Sequence, residues 1–202
     1  IDKFTSNLAG HLNPDYRKHI ENNVLKSKQV LFGLPLMKMI GRFEFDWKSN
    51  LLTIPQAKAQ NSIRTNLNPN IAFISNGLLY LYMKINKTDF TGFLDLGADH
   101  YLFLTYPYFF KSNSAYVKND PHKQPYSRSG LSGVQENIER QRLENPQIYF
   151  GERIIDTTKP GREVYAMDGI NNFDGEVGVL FFKNTFAKTA IDFNRMTIEC
   201  ED

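Results

Sequence analysis

The stretch "FTGFLDLGADHYLFL", Phe90 to Leu104, places a carboxylate, Asp95, at the end of one apolar run and shortly before another. An aspartate in that position either caps a tight turn or sits at a strand end where it can take and give protons. Other residues able to do chemistry stand in weaker patterns. His11, His19, His100 and His122 have no metal-ligand spacing with Cys200 or with any acidic cluster. Ser129 and Ser132 have glycine neighbours but no nucleophile-elbow pattern. No glycine-rich phosphate loop follows a strand and opens a helix. Asp46 and Asp192 each precede a turn, and Asp168-Gly169 and Asp174-Gly175 read as turns themselves. Asp95 is the residue that still needs a reason.

The elements that must position it are short and β-rich. The chain has 16 Phe and 10 Tyr, with glycines punctuating short apolar runs, which favours strands and tight turns over a helical bundle. "LLYLYMKI" (Leu78 to Ile85), the turn "NKTD" and "FTGFLD" read as strand, turn, strand ending at Asp95. "RFEFDW" and "NLLTIP" form an earlier strand pair, and "NPQIYFGERII" and "REVYAM" are further strands. Lys111 to Arg128, with Pro121 and Pro125, reads as a long loop. "QENIERQRL", Gln135 to Leu143, suits a helix or an exposed hairpin equally. One helix is expected at Asn13 to Lys26, with Asn13 as N-cap, Pro14 in the first turn, and Tyr16, Ile20 and Val24 on one face.

Composition narrows the function classes. At 202 residues there is room for one large domain or one and a half small ones. The net charge of +2, from scattered Lys and Arg, gives no footprint for nucleic acid. No apolar run reaches the roughly 18 residues of a membrane-spanning helix. The N-terminal "IDKFTSNLAG" has no apolar signal core, so a targeting segment is expected to be absent or already removed. Cys200, the single cysteine, cannot form an internal disulfide and is expected to be idle. No metal or cofactor is expected.

Two segments repeat. Val30 to Ile54, "VLFGLPLMKMIGRFEFDWKSNLLTI", and Gly175 to Glu199, "GEVGVLFFKNTFAKTAIDFNRMTIE", both run apolar-Gly, a short helical turn, a strand ending in apolar-Asp-aromatic, a turn and a closing strand. Gly33 matches Gly178, Asp46 matches Asp192 and Trp47 matches Phe193. The first copy lacks a counterpart of "FLDLGA" ahead of it. The expected organisation is therefore residues 1–57 as the C-terminal half of a first unit with its helix, 58–76 as connector, and 77–202 as a complete second unit.

In this order the pieces resemble the retropepsin-like aspartic proteases: strand-turn-strand into Asp95-Leu96-Gly97-Ala98, a glycine-spaced "SGLSG" at Ser129 to Gly133, then "DGEVGVLFFKN…AIDF". The resemblance implies an acid-protease-type β-barrel, closed or nearly so, plus an incomplete half-barrel and the N-terminal helix. It implies that Asp95 is one of two catalytic carboxylates, with Leu96, Gly97 and Ala98 shaping its loop. Ser129, Gly130, Leu131, Ser132 and Gly133 would form the flap, and Val177-Gly178 would brace the catalytic loop. Two close carboxylates share a proton, so one serves as base toward water and the other as acid. A lone Asp95 cannot do both. The second Asp is expected from a partner half-domain or from a second copy in a homodimer.

The family carries Thr or Ser after its catalytic Asp, where the hydroxyl bonds across the dyad. Leu96 has no donor or acceptor to offer. Two functions follow from the resemblance: an aspartic endopeptidase, or the C-terminal part of one, acting on a peptide or protein; or a catalytically dead relative that binds extended peptides or a partner chain. An extracytoplasmic location, periplasmic or secreted, is implied by resemblance alone.

Overall fold

The computed structural model describes residues 34–55, 69–73, 78–112, 124–130, 133–167 and 173–202. In chain order these form α1 (Leu34–Ile40), β1 (Arg42–Asp46), β2 (Leu51–Thr53), β3 (Ile71–Phe73), β4 (Leu79–Ile85), β5 (Thr88–Asp95), β6 (Leu102–Thr105), α2 (Tyr106–Ser112), β7 (Gln124–Gly130), β8 (Gly133–Arg142), β9 (Ile148–Phe150), β10 (Arg153–Ile155), β11 (Val164–Met167), β12 (Gly175–Gly178), α3 (Val179–Lys183), β13 (Lys188–Asp192) and β14 (Thr197–Glu201). The structure is mostly β, as the aromatic content requires. The helix expected at Asn13 to Lys26 lies outside the described residues.

The turn between β4 and β5 shows how local sequence builds the sheet. Asn86 and Lys87 both take positive φ, 48° and 68°, the backbone a two-residue hairpin needs. Along β5 the side chains then alternate. Phe90, Gly92 and Leu94 are buried, while Thr91, Phe93 and Asp95 lie on the other face. β12 runs parallel to β5 and antiparallel to β6, so it lies between two strands that are consecutive in the chain. The connection from Asp95 to β6 must therefore pass over the end of β12.

The larger sheet has the order β10-β9-β4-β5-β12-β6-β11-β8-β7, with β3 added on β4. Its two ends, β10 and β7, do not pair among the described residues, so the expected barrel stays open. The loop expected over Lys111 to Arg128 ends in strand: β7 begins at Gln124, and Pro125 is accommodated because β7 is an edge strand. The ambiguous segment from Gln135 is strand, part of β8, which pairs with β7 on one side and β11 on the other.

The second sheet has the order β14-β13-β1-β2 and joins the two halves of the sequence repeat. β1 and β13 pair antiparallel with Arg42 opposite Asp192, Glu44 opposite Ala190 and Asp46 opposite Lys188. With Asp46 equivalent to Asp192, the central pair Glu44 and Ala190 are counterparts of each other. That is the register a two-fold axis demands. The turns agree: Asn50 and Met196, counterparts, both have positive φ, 52° and 53°. Asp46 Oδ1 accepts the amides of Lys48 and Ser49, and Asp192 Oδ1 accepts those of Asn194 and Arg195. The Ser49 amide, with that of Lys48, holds Asp46 below the usual carboxylate range.

Residues 69–73, within the stretch read as connector, are built into this core. The Asn70 side chain donates to the Ile198 carbonyl at 2.9 Å and accepts the Ile198 amide at 2.7 Å, while the Asn70 carbonyl accepts the Tyr82 amide. One residue thus ties β14 to β4, by its side chain on one side and its backbone carbonyl on the other. Beneath both sheets Phe150, Phe181, Phe182 and Phe186 pack ring on ring, with centroids 5.2 to 6.5 Å apart. Each such ring contributes roughly 1.5–3 kcal/mol by leaving water.

Phe43 on β1 is buried and meets Phe193 edge-on at 6.3 Å. Phe43→Ala should cost about 3–5 kcal/mol in urea unfolding and leave a single transition. A much smaller loss would show that β1 lies outside the cooperative core.

Candidate functional site

Asp95 ends β5 in register with Gly178, the last residue of β12, just as Leu94 is in register with Val177. The loop that follows is held by the start of α3. Its carbonyls accept three successive amides: Tyr101 from Gly178 at 3.3 Å, Ala98 from Val179 at 2.9 Å, and His100 from Leu180 at 3.2 Å. This clamp requires a glycine. A Cβ at position 178 would overlap the His100 carbonyl and press on that of Ala98 at 2.9 Å.

Within the loop, Asp95 Oδ1 accepts the Gly97 amide at 2.8 Å and the Asp95 carbonyl accepts the Ala98 amide at 3.2 Å. Asp95 is half-buried, and Oδ2 has no hydrogen-bond partner among the described residues. Leu96 packs against the main hydrophobic core. Its side chain anchors the loop by apolar contact. Tyr101 closes the loop from the other end: its hydroxyl and that of Thr185 are hydrogen-bonded at 2.9 Å, and burial pushes its phenol up to about 12.

The face of the sheet that bears Asp95 also carries Phe93, Glu176 and Phe103, which are cross-strand neighbours. His100 stacks on Phe103 with centroids 4.2 Å apart, and its Nε2 lies 3.6 Å from Glu176 Oε1. The hairpin of β7 and β8 leans on this face through Tyr126, whose ring is 5.6 Å from that of Phe103. Arg140 of β8 lies over both Tyr126 and Tyr165, at 4.5 and 4.2 Å. The hairpin narrows to Ser129 opposite Val134 and Gly130 opposite Gly133. Leu131 and Ser132, the other two residues of the expected flap, lie outside the described residues.

The arrangement therefore brings Asp95, Leu96, Gly97 and Ala98 together with Val177 and Gly178, and sets the base of the β7–β8 hairpin against the same face. His100 is near Asp95 in sequence as well as on this face, whereas sequence reasoning missed Glu176 and the Arg140–Tyr126–Tyr165 stack as its neighbours. Glu176 had a signal, being the one charge in the apolar run "GEVGVL". The cation–aromatic stack had none, since its three residues come from three strands. Asp46 and Asp192 remain turn caps. Asp192 is buried and paired with Arg42 at 3.4 Å. Asp174 does more than turn the chain: its Oδ2 accepts the Thr91 amide and its carbonyl accepts that of Thr105, so it pins β5 and β6 together. Asp168-Gly169 lies outside the described residues.

Gly178→Ala should cost about 1–3 kcal/mol or more, because backbone carbonyls have to move to admit the methyl group. Gly97→Ala should cost less, since its Cβ would meet only the Asp95 carboxylate, at 3.2 Å. Thermal unfolding of the two variants compares them directly. The raised Tyr101 phenol contributes stability that is complete below pH 10 and is lost as pH rises toward about 12. Tyr101→Phe should lose about 1 kcal/mol at neutral pH and flatten the alkaline stability profile over that window.

No protein-family model matches the chain, and no curated protein matches it. Solved structures do. The chain is similar to the retroviral protease-like domain of Ddi1 from Leishmania major, at 14% identity over 62% of this chain and 89% of that one, with a TM-score of 0.45. It is similar to the protease of EIAV in complex with the inhibitor HBY-793, at 16% identity over 56% and 92% of the two chains, TM-score 0.38. It is also similar to a retropepsin-like aspartic protease from Rickettsia conorii, at 15% identity over 56% and 76%, TM-score 0.39. These three similar structures are retropepsin-like proteases.

Proposed function

We propose that this chain is part of an aspartic-type peptidase in which Asp95 supplies one carboxylate of a catalytic pair. The observation that carries this reading is the clamped loop. Three amides at the start of α3 fix the backbone around a carboxylate that lies on the face opposite Leu94 and keeps one oxygen without a hydrogen-bond partner among the described residues. A base that takes a proton from water must be held in place and must have a lone pair to spare. In the proposed reaction Asp95 or its partner accepts a proton from water as the oxygen adds to the peptide carbonyl. The protonated member of the pair shields the developing charge and passes its proton to the departing amine. An extended peptide would lie along the face beneath the β7–β8 hairpin, bonding through its backbone.

The second carboxylate is proposed to come from another unit of the same kind, seated about the local two-fold of the β1–β13 pairing. The symmetry supports this through an imbalance in burial. Phe181 and Ile198 of the second repeat are in the core, whereas their counterparts Leu36 and Leu52 in the first are exposed. Met39, at 85% exposure, and Leu51 and Ile54 extend the same uncovered apolar surface. A sheet like that of β5, β12 and β6, laid over α1 and β2, would bury these residues as the second repeat buries its own.

Leu96 favours a second reading, a peptide-binding protein without turnover, because its side chain packs into the core and offers no bond across a dyad. The two readings separate in one experiment: cleavage of an unfolded protein substrate across acid to neutral pH. The peptidase reading expects activity that Asp95→Asn removes by at least about a thousandfold. Activity surviving Asp95→Asn rejects Asp95, and binding without cleavage at every pH establishes the second reading. Met39→Asp with Leu52→Asp should leave thermal unfolding of the chain unchanged, both sites being exposed, while abolishing assembly with the second unit in sedimentation and any cleavage with it.

A further inference from the structure

At the end of α3 remote from the Asp95 loop, a cavity of about 800 Å³ opens between β10, the β1–β2 turn and the end of β14. None of residues 95–101 lines it. Its walls carry five cationic side chains, Lys48, Arg153, Lys159, Arg162 and Lys183, against two carboxylates, Asp156 and Asp202. The whole chain has a net charge of only +2, so positive charge is concentrated here.

Much of that charge is uncommitted. Arg162 is buried and structural, its Nε and Nη1 each donating at 2.8 Å to the carbonyls of Asn184 and Asp156. Arg153 pairs with Asp202 at 3.0 Å. Asp156 Oδ1 accepts the hydroxyl and amide of Thr158, and that hydroxyl bond above all holds its carboxyl below the usual range. Lys48, Lys159 and Lys183 are exposed and form no ion pair among the described residues. They come from three separate segments, the β1–β2 turn, the loop after β10 and the end of α3, so they ring the cavity instead of converging from one loop.

β10, which lines the cavity, is the end strand of the larger sheet. β10 pairs with β9 on one side and with no other strand among the described residues. Ile154, at the middle of β10, is 66% exposed, and Trp47 and Phe186 add aromatic wall. A free edge offers backbone donors and acceptors to an added strand, and flanking lysines select its charge.

We infer that this cavity binds an extended acidic peptide segment, which adds as a strand to the free edge of β10 with its carboxylates toward Lys48, Lys159 and Lys183. The strand edge is what favours a peptide over a small anion such as phosphate, which would need converging donors instead of a row of backbone groups. The site is separate from the proposed peptidase cleft and does not depend on it.

Trp47 is the single tryptophan of the chain and lines the cavity, so its emission reports occupancy. The full chain is titrated with an octapeptide bearing Glu at alternate positions. Matched titrations use the same peptide with Gln for Glu, the acidic peptide N-methylated at alternate backbone amides, and inorganic phosphate. The expected result is a saturable change with the acidic peptide alone, weakened about tenfold or more by Lys159→Glu with Lys183→Glu. It should also weaken as salt rises from about 50 to about 500 mM. Both lysines are exposed, so the variant should unfold at the same temperature as the parent. An unchanged Trp47 signal, or an equal response to the Gln peptide, overturns the inference. Equal binding of the N-methylated peptide removes strand addition, and an equal response to phosphate makes this a small-anion site; either result also overturns it.

Discussion

The close approach of two backbones at Gly178 is the constraint on which the rest of the site depends. β12 is inserted between β5 and β6, so the chain leaving Asp95 has to cross the end of β12 to reach its next strand. At that crossing the loop carbonyls of Ala98, His100 and Tyr101 would be left without partners unless something donated to them. The first turn of a helix has amides to spare, and α3 begins where they are needed. One glycine makes both halves of the exchange possible: it lets the loop down onto the strand end, and it brings the helix amides within bonding distance. The position of Asp95 is thus set by backbone bonds, leaving its side chain free to do something else.

The second sheet uses the repeat differently. Equivalent strands run antiparallel about the Glu44–Ala190 pair, so the basic start of each copy meets the acidic end of the other. Arg42 reaches Asp192 on one side, and Asp46 lies opposite Lys188 on the other. A single strand sequence carrying a basic start and an acidic end is enough to generate both contacts. The symmetry does not extend to what lies beneath: the second copy rests on the phenylalanine core, while the first presents Leu36, Leu51 and Leu52 outward.

Much of this was legible in the residues because it is decided locally. Alternation in β5, the Asn86-Lys87 turn and the Asp46 and Asp192 caps all follow from neighbours a few positions apart. The repeat was visible as well, though not that its two hairpins share a sheet, since pairing partners nearly 150 residues apart leave no local mark. β8 was ambiguous because its polar side chains find their places through partners elsewhere: Arg140 lies over two tyrosines of other strands, and Gln141 is buried. Pro125 argued for a loop by its missing amide, and the argument failed because only the unpaired side of an edge strand was involved. The cation-lined cavity was illegible for a related reason. Its lysines are scattered in sequence and gather only when β10, α3 and the β1–β2 turn meet.

Asp46, Asp95 and Asp192 share one local pattern, an apolar residue before and a turn after, and the structure gives them different fates. Asp46 and Asp192 each spend Oδ1 on two amides, and Asp192 spends Oδ2 on Arg42. Their charge is consumed in holding a hairpin, and protonating either would cost the turn its acceptor. Among the described residues the Asp95 carboxylate accepts a single amide, from Gly97, while the Ala98 amide goes to the Asp95 carbonyl and those at the start of α3 go to the loop carbonyls. A glycine at 97 and a helix start at 179 therefore leave this carboxylate underused where its look-alikes are saturated. The difference among these three aspartates lies in how many amides the surrounding backbone directs at each.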